Sequence, residues 1–126
     1  MLNNVILIGR LVEKPTMQYL NDNTKVSNIK LAVMRPFRNA DGEFGTDFIP
    51  ISLWHGTADM ACEYCSKGDV IGIKGRIAER VTDQNGINIH SLDIVGERLI
   101  LIQTSSHKDG SFVNKKEILE EEQKLL

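Results

Sequence analysis

The order of its hydrophobic periodicities is the feature of this sequence that most constrains its fold. Five segments are rich in β-branched residues or alternate apolar with polar positions, which predicts strands, and one short segment between the third and fourth has helical spacing. The predicted strands are Asn4–Val12, Val26–Met34, Phe48–Trp54, Asp69–Val81 and Ile87–Ile102, and the predicted helix is Asp59–Cys65. With 126 residues, the chain is expected to form one domain with a tail.

Local signals support this order. Ile29, Leu31 and Val33 share one face of the second strand, and Asp83–Gly86 is a strong hairpin turn. Thr57 is expected to cap the helix, and Gly68 to end it. Gly72 and Gly75 permit curvature or a bulge in the fourth strand, and Pro50 indicates an edge or a bulge in the third. The fifth strand is expected to break near Gly96. Three strands, a short helix and two strands predict an all-β fold, the five-stranded Greek-key barrel called the OB-fold.

A basic and aromatic hairpin arm follows the second strand. Its sequence, Arg35–Glu43, leads into the strand that carries Phe48 and Trp54. Guanidinium groups suit phosphates and flat rings suit unpaired bases, so this arm favours single-stranded nucleic acid as the ligand. The alternative is a surface hairpin whose rings face the core.

The net charge of −2 argues against a generic polycation. Nucleic-acid binding would therefore require cations gathered on one face of the protein. The candidates on or beside predicted strands are Lys30, Arg35, Arg38, Lys74, Arg76 and Arg80. No apolar stretch approaches the roughly 20 residues that span a bilayer, so a cytoplasmic protein without membrane association is expected.

Catalytic and metal-binding patterns are not evident. Cys62 and Cys65 are spaced C-x-x-C, but two further ligands at zinc-finger spacing are missing, and the pair falls late in the predicted helix rather than at its N-terminus. We therefore interpret both cysteines as packing residues and expect no metal or cofactor. The sequence contains no Ser-His-Asp order, P-loop or dinucleotide-binding fingerprint, which argues against an enzyme.

The two ends of the globular segment differ in character. Val5–Ile8 is continuously apolar, which implies burial on both faces, by the core and by a partner subunit. We expect Asn4, Val5, Ile6, Leu7 and Ile8 to lie at an oligomer interface. We place the domain boundary at residue 103, because 104–111 is polar without periodicity. Residues 104–126 are predicted to be a flexible linker and short acidic tail, although an apolar stripe within 114–126 allows a packed helix as the alternative.

The residues from the N-terminus to about residue 103 resemble the bacterial-type single-stranded DNA-binding proteins. The resemblance lies in the order and spacing of Asn3–Leu11, Tyr19, Leu31–Asn39, Asp47–Ile49, Leu53–Trp54, Ala61–Gly68 and Gly72–Ile77. It implies homotetramers of OB-folds that coat single-stranded DNA in replication, recombination or repair, without catalysis or a cofactor. It also implies a cytoplasmic, nucleoid-associated protein.

The resemblance also implies residue roles. Phe37, Phe48 and Trp54 stand at base-stacking positions of the family, and Tyr19 matches a common aromatic. Arg35, Arg38, Arg76 and Arg80 match basic positions along the DNA path, to which composition adds Lys30 and Lys74.

Three departures separate this sequence from the family pattern. Val81–Thr82 replaces an aromatic that usually follows Arg80, and Pro50 occupies a position that is often polar or basic. The last residues, Glu122–Leu126, differ from the acidic tail motif through which family members recruit replication or repair proteins. The alternative function is that of an OB-fold adaptor whose sheet surface docks a protein.

Overall fold

The computed structural model describes residues 1–105. Its elements are β1 (Val5–Leu11), β2 (Gln18–Tyr19), β3 (Lys25–Arg38), β4 (Phe44–Trp54), α1 (His55–Tyr64), β5 (Val70–Gln84) and β6 (Ile87–Gln103). The five predicted strands and the helix between the third and fourth are all present. The predicted linker and tail lie outside the described residues, apart from 104 and 105.

The sheet closes into a barrel. Its strand order is β1-β5-β6-β4-β3-β2, and an additional pairing of β1 with β3 joins the two sides through Arg10 opposite Ala32 and Leu11 opposite Leu31. All pairs are antiparallel except β4 with β6, which run parallel over Ile51–Leu53. Five strands thus form a closed barrel with one short helix, which confirms the predicted OB-fold.

The barrel interior is apolar. Leu31, Ile51, Leu53, Ile71 and Leu99 are at most 2% exposed. The predicted inward face of β3 is confirmed, because Ile29 and Leu31 are buried while Lys30 between them is exposed. Ala58 and Ala61 of α1 complete this core, where small side chains let the helix approach the sheet.

The helix differs from the prediction at both ends. It begins at His55 rather than Asp59, directly after β4, and no side chain caps it. Thr57 therefore is not the N-cap, and its hydroxyl instead donates to the Glu97 carbonyl at 3.4 Å. Gly68 does not end the helix either, since α1 stops at Tyr64 and Gly68 adopts its positive φ in the following turn. Ala58, which precedes the predicted start of the helix, is buried in the barrel core, a contact that a local pattern does not encode.

The strands also extend further than predicted. β3 and β4 continue along the arm, so that it is a paired hairpin, and a short β2 that was not predicted pairs with Val26 and Lys25. Pro50 of β4 lies opposite Lys30 of β3. The pairing of β4 with β6 on its other side begins only at Ile51, so Pro50 lies at a sheet edge, as predicted.

β6 does not break near Gly96 as predicted. It continues through a bulge, because Lys74 pairs with Arg98 and Gly75 pairs with Gly96, which leaves Glu97 without an opposite residue. A Cβ on Gly75 would lie 2.1 Å from the Val95 carbonyl oxygen. Gly96, near which a break was predicted, therefore lies at a β-bulge and not at the end of a strand.

The last described residues are held to the barrel. Thr104 is buried, and Ser105 donates from its backbone N–H (3.1 Å) and its hydroxyl (3.0 Å) to Asp69 Oδ1. The other carboxylate oxygen of Asp69 accepts from the Ser66 N–H at 2.8 Å. These contacts involve two residues beyond the predicted boundary at residue 103, which stays a prediction. Within residues 1–105, no helix is long and apolar enough to cross a membrane.

Candidate nucleic-acid interface

Two of the predicted stacking aromatics lie on one outer face of β4. Even-numbered residues of β4 alternate with the inward Ile49, Ile51 and Leu53, so Phe48 and Trp54 both point away from the core. They are six positions apart along the strand, or roughly 20 Å. Phe48 is 61% exposed. Trp54 is half-buried and donates its Nε1–H to the Ser52 hydroxyl at 3.1 Å, which fixes the indole on this face.

Polar and cationic side chains flank these rings. Lys30 lies opposite Pro50 and next to Ala32, the residue opposite Phe48. A cleft of about 250 Å³ is lined by Asn28, Pro50, Ile51, Ser52, Arg80, Asp93 and Ile94. The cleft brings Arg80 of β5 to the outer face of β4, although sequence places the two far apart. Arg80 Nε lies 3.4 Å from Asp93 Oδ2, and its side chain remains 64% exposed.

The arm has an ordered tip. The Asn39 side chain accepts from the backbone N–H groups of Asp41 and Glu43, both at 3.0 Å, and Gly42 takes a positive φ. Phe37 is 61% exposed, so its ring is available to a ligand. Arg38 places its Cζ 5.0 Å from the centre of the Phe44 ring. Sequence reasoning missed Phe44 because the third strand was expected to begin at Phe48. The alternation of β4 continued backwards would have found it.

Arg35 is engaged by a carboxylate. Its Nε donates to both oxygens of Asp47 at 3.1 Å, and its Nη2 donates to Oδ1 at 2.7 Å. These hydrogen bonds raise the pKa of Arg35 and lower that of Asp47. Asp47 lies opposite Val33, on the face continuous with the core, so Arg35 projects to the side of the arm away from Phe48.

The remaining predicted residues lie elsewhere. Tyr19 is 64% exposed and pairs with Lys25. Because Lys25 Nζ lies 3.1 Å from Asp59 of α1, Tyr19 is on the side of the barrel toward the helix. Lys74 is directly opposite Ile6 of β1. Arg76 is exposed and follows Lys74 on the same side of β5. The predicted set therefore does not lie on a single surface of the barrel.

An apolar surface covers the outer side of β1, β5 and β6. Ile6 is 75% and Ile8 60% exposed, whereas Val5 and Leu7 are half-buried. A cavity against this side is lined mainly by aliphatic residues, together with the charged Lys74 and Arg98; the lining comprises Ile6, Leu7, Ile8, Gly72, Ile73, Lys74, Arg98, Ile100 and Ile102. Asn4 is exposed beside it, and Asn3 exchanges two hydrogen bonds with the Ile77 backbone. Within one subunit, the first strand is thus buried on one face.

The two cysteines of α1 and the turn that follows it differ in burial. Cys65 is 1% exposed in the core, and burial raises the pKa of its thiol to about 12. Cys62 is half-buried, and both are free thiols. Across residues 1–105, no three His, Cys, Asp or Glu side chains are grouped so as to hold a metal ion. The packing role predicted for Cys65 agrees with its place in the core.

Known single-stranded DNA-binding proteins are similar in sequence to this chain. The single-stranded DNA-binding protein B of Bacillus subtilis is 36% identical over 98 residues, which cover 77% of this chain and 87% of that protein. The single-stranded DNA-binding protein of Streptococcus pneumoniae is 33% identical over 111 residues, covering 87% and 71%.

Known structures share the fold. The wild-type single-stranded DNA binding protein from Thermus aquaticus superposes with a TM-score of 0.68 at 24% identity, over 82% of this chain and 52% of that one. A Plasmodium falciparum SSB in complex with ssDNA gives a TM-score of 0.69 at 25% identity, covering 82% and 96%. The model of the single-strand binding protein family matches residues 2–102, nearly the whole described barrel. This chain belongs to the single-strand binding protein family.

Proposed function

We propose that this chain binds single-stranded DNA without catalysis and largely without regard to sequence. The observation that carries the proposal is the placement of Phe48 and Trp54 on one outer face of β4, with Lys30 and Arg80 beside them. Relatives named as single-stranded DNA-binding proteins and a solved neighbour bound to ssDNA support it.

The chemistry of this face suits an unpaired strand. Every base has a π face, so stacking on Phe48 and Trp54 would tolerate any sequence, at about 1–3 kcal/mol per stacked base. Lys30 and the exposed part of Arg80 would meet the phosphates between bases. Because the net charge is −2, attraction must come from this local arrangement rather than from the whole molecule.

The proposed assembly is a homotetramer that uses the apolar side of β1, β5 and β6. Ile6 and Ile8 lie on the same face of β1 and are largely exposed in one subunit. A symmetry-related copy would cover this apolar surface. In this assembly the protein would serve replication, recombination or repair in the cytoplasm, associated with the nucleoid. Recruitment of replication or repair proteins by the C-terminal residues belongs to the same proposal.

Tryptophan fluorescence tests the binding. Trp54 is the one tryptophan of the sequence, so its emission reports on this face alone. Titration with oligo-dT should quench the emission, and duplex DNA of equal length should quench it far less. Trp54→Ala, followed with a labelled oligonucleotide, should weaken binding roughly 5-fold or more, as expected for one lost stacked base. An unchanged emission together with unchanged affinity of Trp54→Ala would contradict the proposal and favour the protein-docking adaptor.

A further inference from the structure

Phe44 extends the line of aromatics on β4. Residues of β4 alternate between exposed and less exposed positions from Phe44 onwards, so Phe44 shares the outer side with Thr46 and Phe48. The register of this hairpin is irregular between two residue pairs, Met34 with Thr46 and Arg38 with Phe44. The extra residues lie on β3, where the three residues Arg35–Phe37 face the single residue Gly45 of β4. The alternation of β4 is therefore preserved, and Phe44 lies about 13 Å along the strand from Phe48.

Arg38 holds the Phe44 ring from one side. Its guanidinium carbon lies 5.0 Å from the ring centre, and its Nη1 donates to the Gly42 carbonyl at 3.3 Å. The cation–π contact and this hydrogen bond fix the pair at the base of the ordered turn. Phe44 remains 46% exposed, so the pair leaves ring surface open to solvent.

A ring with a guanidinium above it has the two properties that an unpaired nucleotide requires. The open ring surface can stack on a base, and the cation lies where the adjoining phosphate of a stacked nucleotide would pass. A pair that served only to stiffen the arm would be more stable with the ring covered, because an exposed phenyl group forgoes burial of its apolar area. The exposure therefore favours a ligand role for Phe44.

We propose that Phe44 and Arg38 form an additional nucleotide-binding platform, which extends the DNA path from β4 onto the arm. The inference rests on the proposed binding of single-stranded DNA. Phe44 supplies the stacking surface, and Arg38 both positions the ring and contacts a phosphate. With this platform, β4 carries three base-stacking aromatic residues, at positions 44, 48 and 54.

Substitutions at Phe44 test the platform. Phe44→Leu keeps an apolar side chain but removes the ring, whereas Phe44→Trp keeps a stacking surface. We expect Phe44→Leu to lose roughly 5- to 100-fold in oligo-dT affinity, with an unchanged salt slope, and Phe44→Trp to bind at least as tightly as the parent. Arg38→Ala should lose affinity and also flatten the salt slope. Affinity of Phe44→Leu equal to that of the parent would overturn the platform.

Photo-crosslinking separates direct contact from a stiffening role. An oligo-dT that contains 5-iodouracil should crosslink to Phe44 in the parent protein, and mass spectrometry of the digest should locate the adduct there. Crosslinks confined to Phe48 and Trp54 would overturn the platform while the proposed function stands. Quenching of Trp54 emission by oligo-dT in the Phe44→Leu variant would show that DNA still binds at β4 when the ring at position 44 is absent. If the parent itself shows neither quenching nor crosslinks, the proposed function fails and the platform with it.

Discussion

Three arginines predicted to bind DNA have different electrostatic partners. Arg35 is bound by Asp47 through both of its carboxylate oxygens, Arg38 lies over Phe44, and Arg80 shares a cleft with Asp93. Lys30 has no carboxylate within ion-pair distance among the described residues. The positive charge available to a phosphate therefore differs among these four residues.

This difference predicts unequal salt dependence of DNA binding. Lys30→Ala should reduce the slope of log affinity against log salt by about 0.7, the value for one phosphate contact to a single strand. Arg35→Ala should reduce it less, because Asp47 already compensates the charge. Oligo-dT titrations at several salt concentrations measure both slopes, with Lys67→Ala in the exposed turn after α1 as the control. A larger slope change for Arg35→Ala than for Lys30→Ala would contradict this ranking.

The ion pair between Arg35 and Asp47 should break at low pH. The pKa of Asp47 is lowered from its ordinary value of 3.8 by its hydrogen bonds to Arg35. A carboxylate with a depressed pKa contributes stability above its unfolded pKa and loses it as pH falls through the folded value. The pair should thus persist at neutral pH and open below about pH 3.8. Chemical shifts of the Asp47 carboxyl group followed by NMR would show the titration, and Arg35→Ala should return its midpoint toward 3.8.

At the scale of elements, the barrel depends on where β5 and β6 change register. The bulge at Glu97 coincides with two buried glycines, Gly75 and Gly96, at positions where other side chains do not fit. A Cβ on Gly96 would lie 2.5 Å from Leu53 Cδ2, so the bulge also sets how closely β6 approaches β4. These glycines give the long β5–β6 hairpin the bend that lets it enter the barrel and then continue outward.

Alanine substitution at two glycines tests this role. Gly75→Ala should destabilise the fold by about 1–3 kcal/mol or more, because the new Cβ would meet backbone rather than a flexible side chain. Gly56→Ala is the matched control, since it lies in α1 with no atom within 4 Å of its Cβ position. It should be neutral or stabilising by up to about 1 kcal/mol. Urea denaturation measures both, and equal stability of the two variants would contradict the role of Gly75.

At the scale of the whole molecule, the barrel has two outer surfaces with different chemistry. The β3–β4 side carries exposed aromatics with cations between them, and the β1–β5–β6 side carries exposed aliphatics. Lys74 lies on the aliphatic side opposite Ile6, and Arg76 follows it on the same side of β5, which separates both residues from the aromatic rings of β4. We infer that DNA and subunit contacts use opposite parts of the barrel surface.

A charge on the aliphatic surface should disrupt the assembly. Ile8 is 60% exposed in one subunit, so Ile8→Lys should leave the subunit folded but place a charge in the proposed interface. Light scattering should then report a smaller oligomer than the tetramer proposed for the parent. Ile87→Lys, at a 66% exposed residue next to the β5–β6 turn, is the control and should keep the parental mass. A parent that is monomeric at micromolar concentration would contradict the proposed assembly.

The end of the barrel can be located by two truncations. A chain ending at Gln103 loses the buried Thr104 and the two hydrogen bonds from Ser105 to Asp69, which leaves a buried carboxylate oxygen with fewer donors. Its melting temperature should fall by several degrees relative to a chain ending at Ser105. Oligo-dT affinity should be the same in both, since neither residue lies on the β3–β4 side. Equal melting temperatures would place the boundary at residue 103 after all.

The sequence by itself determined the succession of strands along the chain, the place of the helix between the third and fourth predicted strands, and the inward face of β3, because periodicity and turn residues are local properties. The family resemblance, rather than a local pattern, pointed to Phe37, Phe48 and Trp54 as ligand-facing rings, and in the structure all three are exposed or partly exposed. Only the tertiary structure decided which side of the barrel each cation occupies, because register and closure join distant segments. Arg80 thereby reaches the cleft beside Ser52, Lys74 faces Ile6, and Arg35 is held by Asp47. Phe44 and Arg38 meet for the same reason, across a hairpin whose irregular register no local pattern shows.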